Sequence, residues 1–202
     1  MKRNILILGG YGQIGNAIYE NIKESHNVHR TNTKNLQLGF GDDFTKLDNL
    51  ITKLNPSLII NCIGIFDGND SDLQNIFNVN VRPSWYIIKI INGKSPRTKI
   101  DYSVLGSSSY KQGKKDYYLY SSSKAALVNL IQGASLDSTE ESLRLNVINL
   151  PPVRSKMLSD ASKNISNNIG ISLMEAANFV LNASLDTFIP GVVDYQYEKV
   201  IL

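Results

Sequence analysis

A tyrosine and a lysine one helical turn apart are the residues of this sequence best suited to proton transfer. Residues i and i+4 share one face of a helix, so Lys124 can bring its charge close to the Tyr120 hydroxyl. A nearby positive charge favours the ionised form of a phenol, whose pKa is ordinarily about 10. Tyr120 is therefore predicted to donate and accept protons during a reaction.

The sequence context distinguishes this pair from others with the same spacing. Three serines fill the turn between Tyr120 and Lys124, where a ligand could approach, and an apolar stripe that would bury the helix follows. Of the remaining pairs, Tyr19/Lys23 is interpreted as a surface pair, Tyr110/Lys114 as a loop pair and Tyr195/Lys199 as a pair near the carboxyl terminus.

A glycine-rich turn near the amino terminus is suited to binding a dinucleotide. The apolar run 4–8 predicts a buried strand, and a helical pattern follows the turn. Such a turn leaves N–H groups at the helix start free for a pyrophosphate, and the missing side chains allow close approach. The residues predicted to contact the cofactor here are Gly9, Tyr11, Gly12, Gln13, Ile14 and Gly15.

Together the two signatures resemble the short-chain dehydrogenase/reductase family, over most of the chain. Asn61-Cys62-Ile63-Gly64 stands where that family has its Asn-Asn-Ala-Gly motif, which places Asn61, Cys62 and Gly64 beside the cofactor. Asn80 matches the active-site Asn of the family. Ser107, thirteen residues before Tyr120, matches its catalytic Ser, with Ser108 and Ser109 as alternatives.

A further match lies in residues 146–155, which resemble the sixth strand of the family and its Pro-Gly-x-Val-x-Thr segment. The resemblance implies that Pro151, Val153 and Ser155 contact the nicotinamide. The sequence departs from the family where Pro152 follows Pro151 and where Ser155 replaces Thr. The amino-terminal motifs are also similar to nucleotide-sugar reductases such as the dehydrorhamnose reductases.

The resemblance implies a role for each candidate catalytic residue. Tyr120 would give its proton to a substrate carbonyl while the nicotinamide delivers hydride, or would act as the base in reverse. Lys124 would lower the pKa of the phenol and hold the nicotinamide ribose. Ser107 would hydrogen-bond the carbonyl, and Asn80 would anchor a water that relays protons to Lys124.

The residues after the second predicted strand indicate which cofactor is used. An acidic residue there would bind the ribose 2′-hydroxyl of NAD, but residues 28–34 contain none. Arg30 or Lys34, with Thr31 and Asn32, would instead contact a 2′-phosphate, so NADP is predicted and NAD remains possible. Asp43 matches the adenine-contacting Asp of the family, and Asp42 is an alternative.

The bulk composition limits the classes of protein to consider. A chain of 202 residues, 42% hydrophobic and 19% charged, predicts a single domain spanning residues 1–202. A net charge of +3, with scattered basic residues, argues against a nucleic-acid partner. One cysteine excludes an internal disulfide, and no metal site is expected. No signal peptide or membrane-spanning run is recognised, so a cytoplasmic protein without a membrane partner is expected.

Strand-like runs alternate with helical patterns, which predicts an α/β fold: a single doubly wound parallel-sheet Rossmann domain with three α/β/α layers. Residues 154–172 are predicted to form a substrate lid. The predicted strands are 5–8, 27–31, 36–38, 58–62, 100–105, 145–150 and 191–195, and the predicted helices are 13–24, 47–54, 72–92, 120–136 and 173–181.

The leading hypothesis is an NADP-dependent oxidoreductase acting on a small carbonyl or alcohol substrate. A nucleotide-sugar reductase or epimerase is the first alternative, and a catalytically weak dinucleotide-binding sensor or scaffold is the second. Two helices, around 80–91 and 125–136, carry apolar residues on more than one face. In the resembling family these helices pair across a two-fold axis, so a homodimer or homotetramer is expected.

Overall fold

The computed structural model describes residues 2–32, 36, 43–66, 72–93, 99–137, 143–161 and 169–196, without the side chains of residues 43, 160 and 161. Within these residues a six-stranded sheet has the order β2-β1-β3-β4-β5-β6, and every neighbouring pair is parallel. This confirms the predicted doubly wound fold. The strands are β1 Asn4–Leu8, β2 Asn27–Arg30, β3 Leu58–Asn61, β4 Ile100–Ser107, β5 Leu143–Leu150 and β6 Gly191–Asp194.

Helices cover both faces of the sheet because its strands are apolar on both sides. Leu6 and Leu8 of β1 face a core shared with α2, α4 and α5, and Ile5 and Ile7 face a core shared with α1 and α7. No helix among the described residues is long and apolar enough to span a membrane. The helices are α1 Gln13–Ile22, α2 Asp43–Leu54, α3 Leu73–Asn80, α4 Arg82–Asn92, α5 Tyr118–Asp137, α6 Lys156–Ala161 and α7 Leu173–Leu181.

Several predicted boundaries are corrected by the structure. The single helix expected over 72–92 is divided at Val81 into α3 and α4, because Pro83 lies in the first turn of α4. A proline there has no N–H to donate and crowds the carbonyl four residues earlier, so one helix cannot continue through it. Helix α5 begins two residues before Tyr120, and β4 continues to Ser107.

Two further predictions fall wholly or partly outside the described residues. Only Leu36 of the strand expected over 36–38 is described, and its side chain is buried. Of the lid expected over 154–172, the described part contains α6.

The parallel register places the ends of the central strands along one edge of the sheet. Leu8 pairs with Asn61 at the ends of β1 and β3, and Ser107 pairs with Leu150 at the ends of β4 and β5. The strand order reverses direction between β1 and β3, which is where α/β sheets of this kind open a crevice for ligands. The residues that follow these strands therefore line a common cleft.

Candidate active site

A cleft at the carboxyl edge of the sheet contains about half of the predicted site residues. It encloses about 1010 Å³, including space open to solvent. Its walls combine Ile14 of α1, the segments after β3, β4 and β5, and the start of α5 and α6. The predicted residues that line it are Ile14, Cys62, Gly64, Ser107, Ser108, Ser109, Tyr120, Lys124, Pro151, Val153 and Ser155.

Tyr120 and Ser107 form the polar centre of this cleft. Ser107 ends β4, Tyr120 lies in the first turn of α5, and both side chains line the cleft. Burial raises the pKa of the Tyr120 phenol, interaction with Ser107 acts in the opposite direction, and the nearby Tyr117 raises it further. The phenol is therefore protonated at neutral pH. Ser108 and Ser109 line the same cleft, but Ser107 is the serine that reaches Tyr120.

Lys124 lies one turn beyond Tyr120 and is buried, with 4% of its surface exposed. Its Nζ donates a hydrogen bond of 2.9 Å to the carbonyl oxygen of Leu105, and burial lowers the pKa of Lys124 to about 8. The Nζ is 5.8 Å from the centroid of the Tyr120 ring. Burial dominates the pKa of Tyr120 in this structure and raises it, and the expected lowering by Lys124 stays a prediction.

Asn80 at the end of α3 connects the segment after β3 to helix α5. Its Oδ1 accepts the Ile65 N–H at 2.8 Å, and its Nδ2 donates to the Ile65 carbonyl at 3.1 Å and to Ser123 Oγ at 2.9 Å. A Cβ on Gly64 would lie 3.5 Å from both Asn80 Oδ1 and Lys124 Nζ. Asn80 is thus near Lys124, as the resemblance requires, and its water-relay role remains a prediction.

The glycine-rich turn is packed too closely to accept side chains at two of its positions. Gly9 has φ +69°, and a Cβ there would lie 3.1 Å from the carbonyl carbon of Cys62. A Cβ on Gly15 would reach the Gly9 oxygen, so this glycine lets α1 rest directly on the turn. Gly12 caps α1 without any side-chain hydrogen bond. The helix start is therefore open to an anion, as the dinucleotide hypothesis requires.

Arg30 occupies the position at the end of β2 where the sequence predicts a 2′-phosphate contact. Its guanidinium carbon lies 4.2 Å from the Tyr11 ring centroid and 3.5 Å from that of Tyr19. Its Nη1 also donates to Asn16 Oδ1 at 2.9 Å. The charge is thus held at the rim of the glycine-rich turn by two aromatic faces and one amide.

Of the other residues predicted to contact the 2′-phosphate or the adenine, the structure describes the side chains of Thr31 and Asn32 only. Thr31 is only 6% exposed, and its backbone bonds to Ile7 and Gly10 fix the end of β2. Its side chain is thus less available than predicted. The Asn32 carbonyl accepts the Leu36 N–H. Lys34 and the Asp43 side chain lie outside the described residues.

The segment after β5 closes one side of the cleft. Pro151 and Val153 are buried, and Ser155 Oγ accepts the Leu158 N–H at 3.3 Å. Ile171 bonds back to this segment twice, through its N–H to the Pro152 carbonyl and through its carbonyl to the Arg154 N–H, each at 2.9 Å. The residues on either side of the lid segment are therefore tied together at its base.

Aromatic and aliphatic side chains surround the polar centre. The Phe66 ring lies 4.8 Å from Tyr120 and 5.2 Å from Tyr117, centroid to centroid. Cys62 also lines this wall, and burial raises the pKa of its thiol to about 12, so it is neutral. Within the described part of the chain, Lys124 supplies the only charged group lining the cleft.

Sequence reasoning missed two polar residues behind Ser107. Asn149 lies within the segment compared with the sixth strand of the family, and Asp194 lies at the end of β6. Asn149 accepts a hydrogen bond from the Ser107 N–H and donates one to Asp194. No motif identified them, because their importance depends on the pairing of β5 with β4 and β6.

No family model matches the sequence. A bifunctional ribulose 5-phosphate reductase/CDP-ribitol pyrophosphorylase, Bcs1, from Haemophilus influenzae is 28% identical over 170 residues, covering 77% of this chain and 35% of the relative. The chain thus spans about a third of the length of the curated relative that it matches.

Solved structures match almost the entire chain. A short chain dehydrogenase family protein from Francisella tularensis superimposes with a TM-score of 0.81 at 20% identity, covering 96% of this chain and 97% of the other. ElxO with NADP bound gives 0.80 at 17% identity, with 96% and 97% covered. A 3-alpha-hydroxysteroid dehydrogenase from Pseudomonas sp. B-0831 complexed with NADH gives 0.76 at 15% identity, with 94% of each chain covered.

Proposed function

We propose that this chain, which has the short-chain dehydrogenase/reductase fold, is an NADP-dependent oxidoreductase that transfers hydride between nicotinamide and a small carbonyl or alcohol. The observation that carries this proposal is that Ser107, Tyr120 and Lys124 line one cleft, which also includes Ile14 beside the glycine-rich turn. A proton donor and an oxygen-binding group thus lie in one cavity, next to the proposed dinucleotide cradle.

In the direction of reduction, Ser107 and Tyr120 hold the carbonyl oxygen of the substrate. A bound nicotinamide would supply hydride to the carbonyl carbon, and Tyr120 would give its proton to the oxygen as negative charge develops there. A phenol must be protonated to act as a general acid, and the raised pKa of Tyr120 keeps it protonated at neutral pH. In the reverse direction the same groups accept the proton of an alcohol.

Different parts of the cleft rim hold different parts of the cofactor. The uncapped start of α1 and the glycine-rich turn fit a pyrophosphate, and Arg30 at the rim fits the 2′-phosphate that distinguishes NADP. Lys124 and Gly64 would hold the nicotinamide ribose, and Pro151 and Val153, which line the same cleft, would contact the nicotinamide. ElxO and BdcA, which share this fold, have NADP or NADPH bound, whereas the 3-alpha-hydroxysteroid dehydrogenase has NADH.

A sugar-phosphate or nucleotide-sugar reductase is the second candidate, and the similarity to the ribulose 5-phosphate reductase favours it. The composition of the cleft favours an uncharged carbonyl compound. In the described residues Lys124 is the only cation lining the cleft, and its Nζ already bonds the Leu105 carbonyl. A substrate phosphate would gain little stabilisation there.

The test is oxidation of NADPH in the presence of uncharged aldehydes and ketones, with ribulose 5-phosphate and a nucleotide-ketosugar as charged competitors. We expect turnover with an uncharged compound. Preference for a phosphorylated or nucleotide-linked sugar would select the second candidate. Tight NADPH binding without turnover of any compound would select a sensor or scaffold.

Substitution of Tyr120 tests the residue assignment. Tyr120→Phe keeps the ring beside Phe66 and removes the proton donor, so turnover should fall by about 10²- to 10⁴-fold while NADPH binding is retained. Tyr118→Phe is the matched control, since that side chain is in the same turn and 50% exposed, outside the cleft. Full activity of Tyr120→Phe would show that the assignment is wrong.

We further propose that the protein acts in the cytoplasm as a homodimer or homotetramer. Trp85 on α4 supports self-association, because 42% of its surface is exposed. Exposed tryptophans are enriched at interfaces between protein chains.

A further inference from the structure

A chain of hydrogen bonds runs behind Ser107, across the carboxyl ends of β4, β5 and β6. The Ser107 N–H donates to Asn149 Oδ1 at 3.2 Å, and Asn149 Nδ2 donates to Asp194 Oδ1 at 3.0 Å. Asn149 is only 2% exposed, so its amide has few other ways to satisfy both of its polar atoms. The backbone of Ser107 is thereby connected, through one side chain, to a carboxylate two strands away.

The connection depends on the residue that precedes Ser107. Gly106 pairs with Asn149 across the β4–β5 ladder, and a Cβ on Gly106 would coincide with the space taken by Asn149 Oδ1. Any larger residue at this position would push the amide away from the Ser107 N–H. Glycine at 106 is therefore what allows Asn149 to cross the strand and reach Ser107.

Asp194 also holds the other end of the serine-containing segment. Its Oδ2 accepts the Tyr110 hydroxyl at 3.1 Å and lies 2.7 Å from Lys111 Nζ. Burial alone would raise the pKa of Asp194, but hydrogen bonds from Lys111, Asn149 and Tyr110 outweigh it and lower that pKa. The carboxylate is therefore ionised at neutral pH and binds partners on both sides of Ser108 and Ser109.

We propose that Asn149 and Asp194 are positioning residues, which fix the backbone from Ser107 to Lys111 so that the Ser107 hydroxyl faces Tyr120. The carboxylate of Asp194 acts as the common anchor, reached from one end through Asn149 and from the other through Tyr110 and Lys111. This proposal rests on the proposed function, since it assigns the positioning to a serine that binds the substrate oxygen.

The first test measures turnover and cofactor binding in Asp194 variants. Asp194→Ala should lower kcat by about 10- to 100-fold, the loss typical of a misplaced catalytic group, with the NADPH dissociation constant within about twofold of the parent. Asp194→Asn keeps an acceptor for Asn149, so it should recover part of the lost rate. An unchanged kcat in Asp194→Ala would overturn the proposal.

Asp101→Asn is the matched control for a loss of stability alone. Asp101 is a buried carboxylate at the opposite end of β4, where it pairs with Arg3 and Arg144. Its substitution should lower the melting temperature yet leave kcat within about twofold of the parent. If both carboxylate variants lost rate in proportion to their loss of stability, Asp194 would have a structural role only.

A double-mutant cycle with Ser107→Ala provides a readout that a structural role would not produce. If Asp194 acts through the Ser107 hydroxyl, Asp194→Ala should cause no further loss of kcat once that hydroxyl is gone. Losses that multiply in the double variant would contradict the proposal.

Hydrogen exchange separates failure of this proposal from failure of the proposed function. If the parent reduces no carbonyl compound, the function fails, but the anchor can still be tested without substrate. Amide exchange in residues 105–111 should be faster in Asp194→Ala than in the parent and unchanged in Asp101→Asn. Equal protection of that segment in parent and Asp194→Ala would overturn the positioning proposal.

Discussion

Replacing Lys124 with methionine should stabilise the protein while removing its activity. Methionine occupies a similar volume without a charge, and Lys124 is almost fully buried. Burial lowers the pKa of the ammonium from 10.5 to about 8, a decrease that corresponds to about 3 kcal/mol of folding free energy at neutral pH. Loss of the hydrogen bond to the Leu105 carbonyl offsets about 1 kcal/mol of this.

The net gain at pH 7 is therefore about 2 kcal/mol in the free energy of unfolding. For a chain of this length such a gain raises the melting temperature by about 4–8 °C. Urea unfolding of parent and variant at pH 7 measures the difference directly. Lys53→Met, at an exposed position near the end of α2, is the control and should change stability by no more than about 0.5 kcal/mol.

The pH dependence of the free energy of unfolding tests whether the buried charge of Lys124 destabilises the parent. Below pH 8 the ammonium is charged in both the folded and the unfolded chain, and the full cost of burying it is present. Between about pH 8 and 10.5 the unfolded chain binds more protons at this residue, so the stability of the parent rises with pH. The advantage of Lys124→Met should shrink over that window. A variant no more stable than the parent at pH 7, or an advantage that persists unchanged at pH 10, would refute the reasoning.

Two further predictions concern cofactor choice and assembly. Arg30→Ala should weaken NADPH binding by about tenfold or more, as expected for a lost charge-assisted contact of about 1.5–3 kcal/mol. NADH binding should be nearly unchanged, because NADH has no 2′-phosphate. Equal losses for both cofactors in fluorescence titrations would contradict a 2′-phosphate contact. Light scattering at micromolar concentration should show a dimer or tetramer, and Trp85→Lys should shift the equilibrium toward the monomer. A species of 22.5 kDa in the parent would exclude self-association.

The fold was predictable from sequence because its central strands are short apolar runs separated by helical patterns. Buried parallel strands such as β1 and β3 need apolar residues on both faces, and this leaves a signal that is independent of tertiary context. Boundaries were less predictable. The break between α3 and α4 depends on Pro83, whose effect was underestimated against the strong apolar periodicity on either side of it.

The site was predictable where it depends on local sequence. Tyr120 and Lys124 share one helix, and the glycines of the first turn all lie within residues 9–15, so their arrangement follows from helix and turn geometry. The direction of the Tyr120 pKa change was not predictable, because it depends on how much protein covers the phenol. Asn149 and Asp194 were missed for a related reason: their contact with each other requires the β5–β6 pairing.

The two hydrogen bonds that join the ends of the segment following β5 affect how that segment can change during evolution. Because Ile171 is bonded to Pro152 and Arg154, the chain leaves the sheet and returns to nearly the same place. Whatever lies between can change in length at little thermodynamic cost, about 0.6 kcal/mol for each doubling of a flexible loop. A change of length between these two ends would therefore leave the sheet as it is. Under the proposed function, substrate range would change there while the proposed proton-transfer residues of β4 and α5 stay the same.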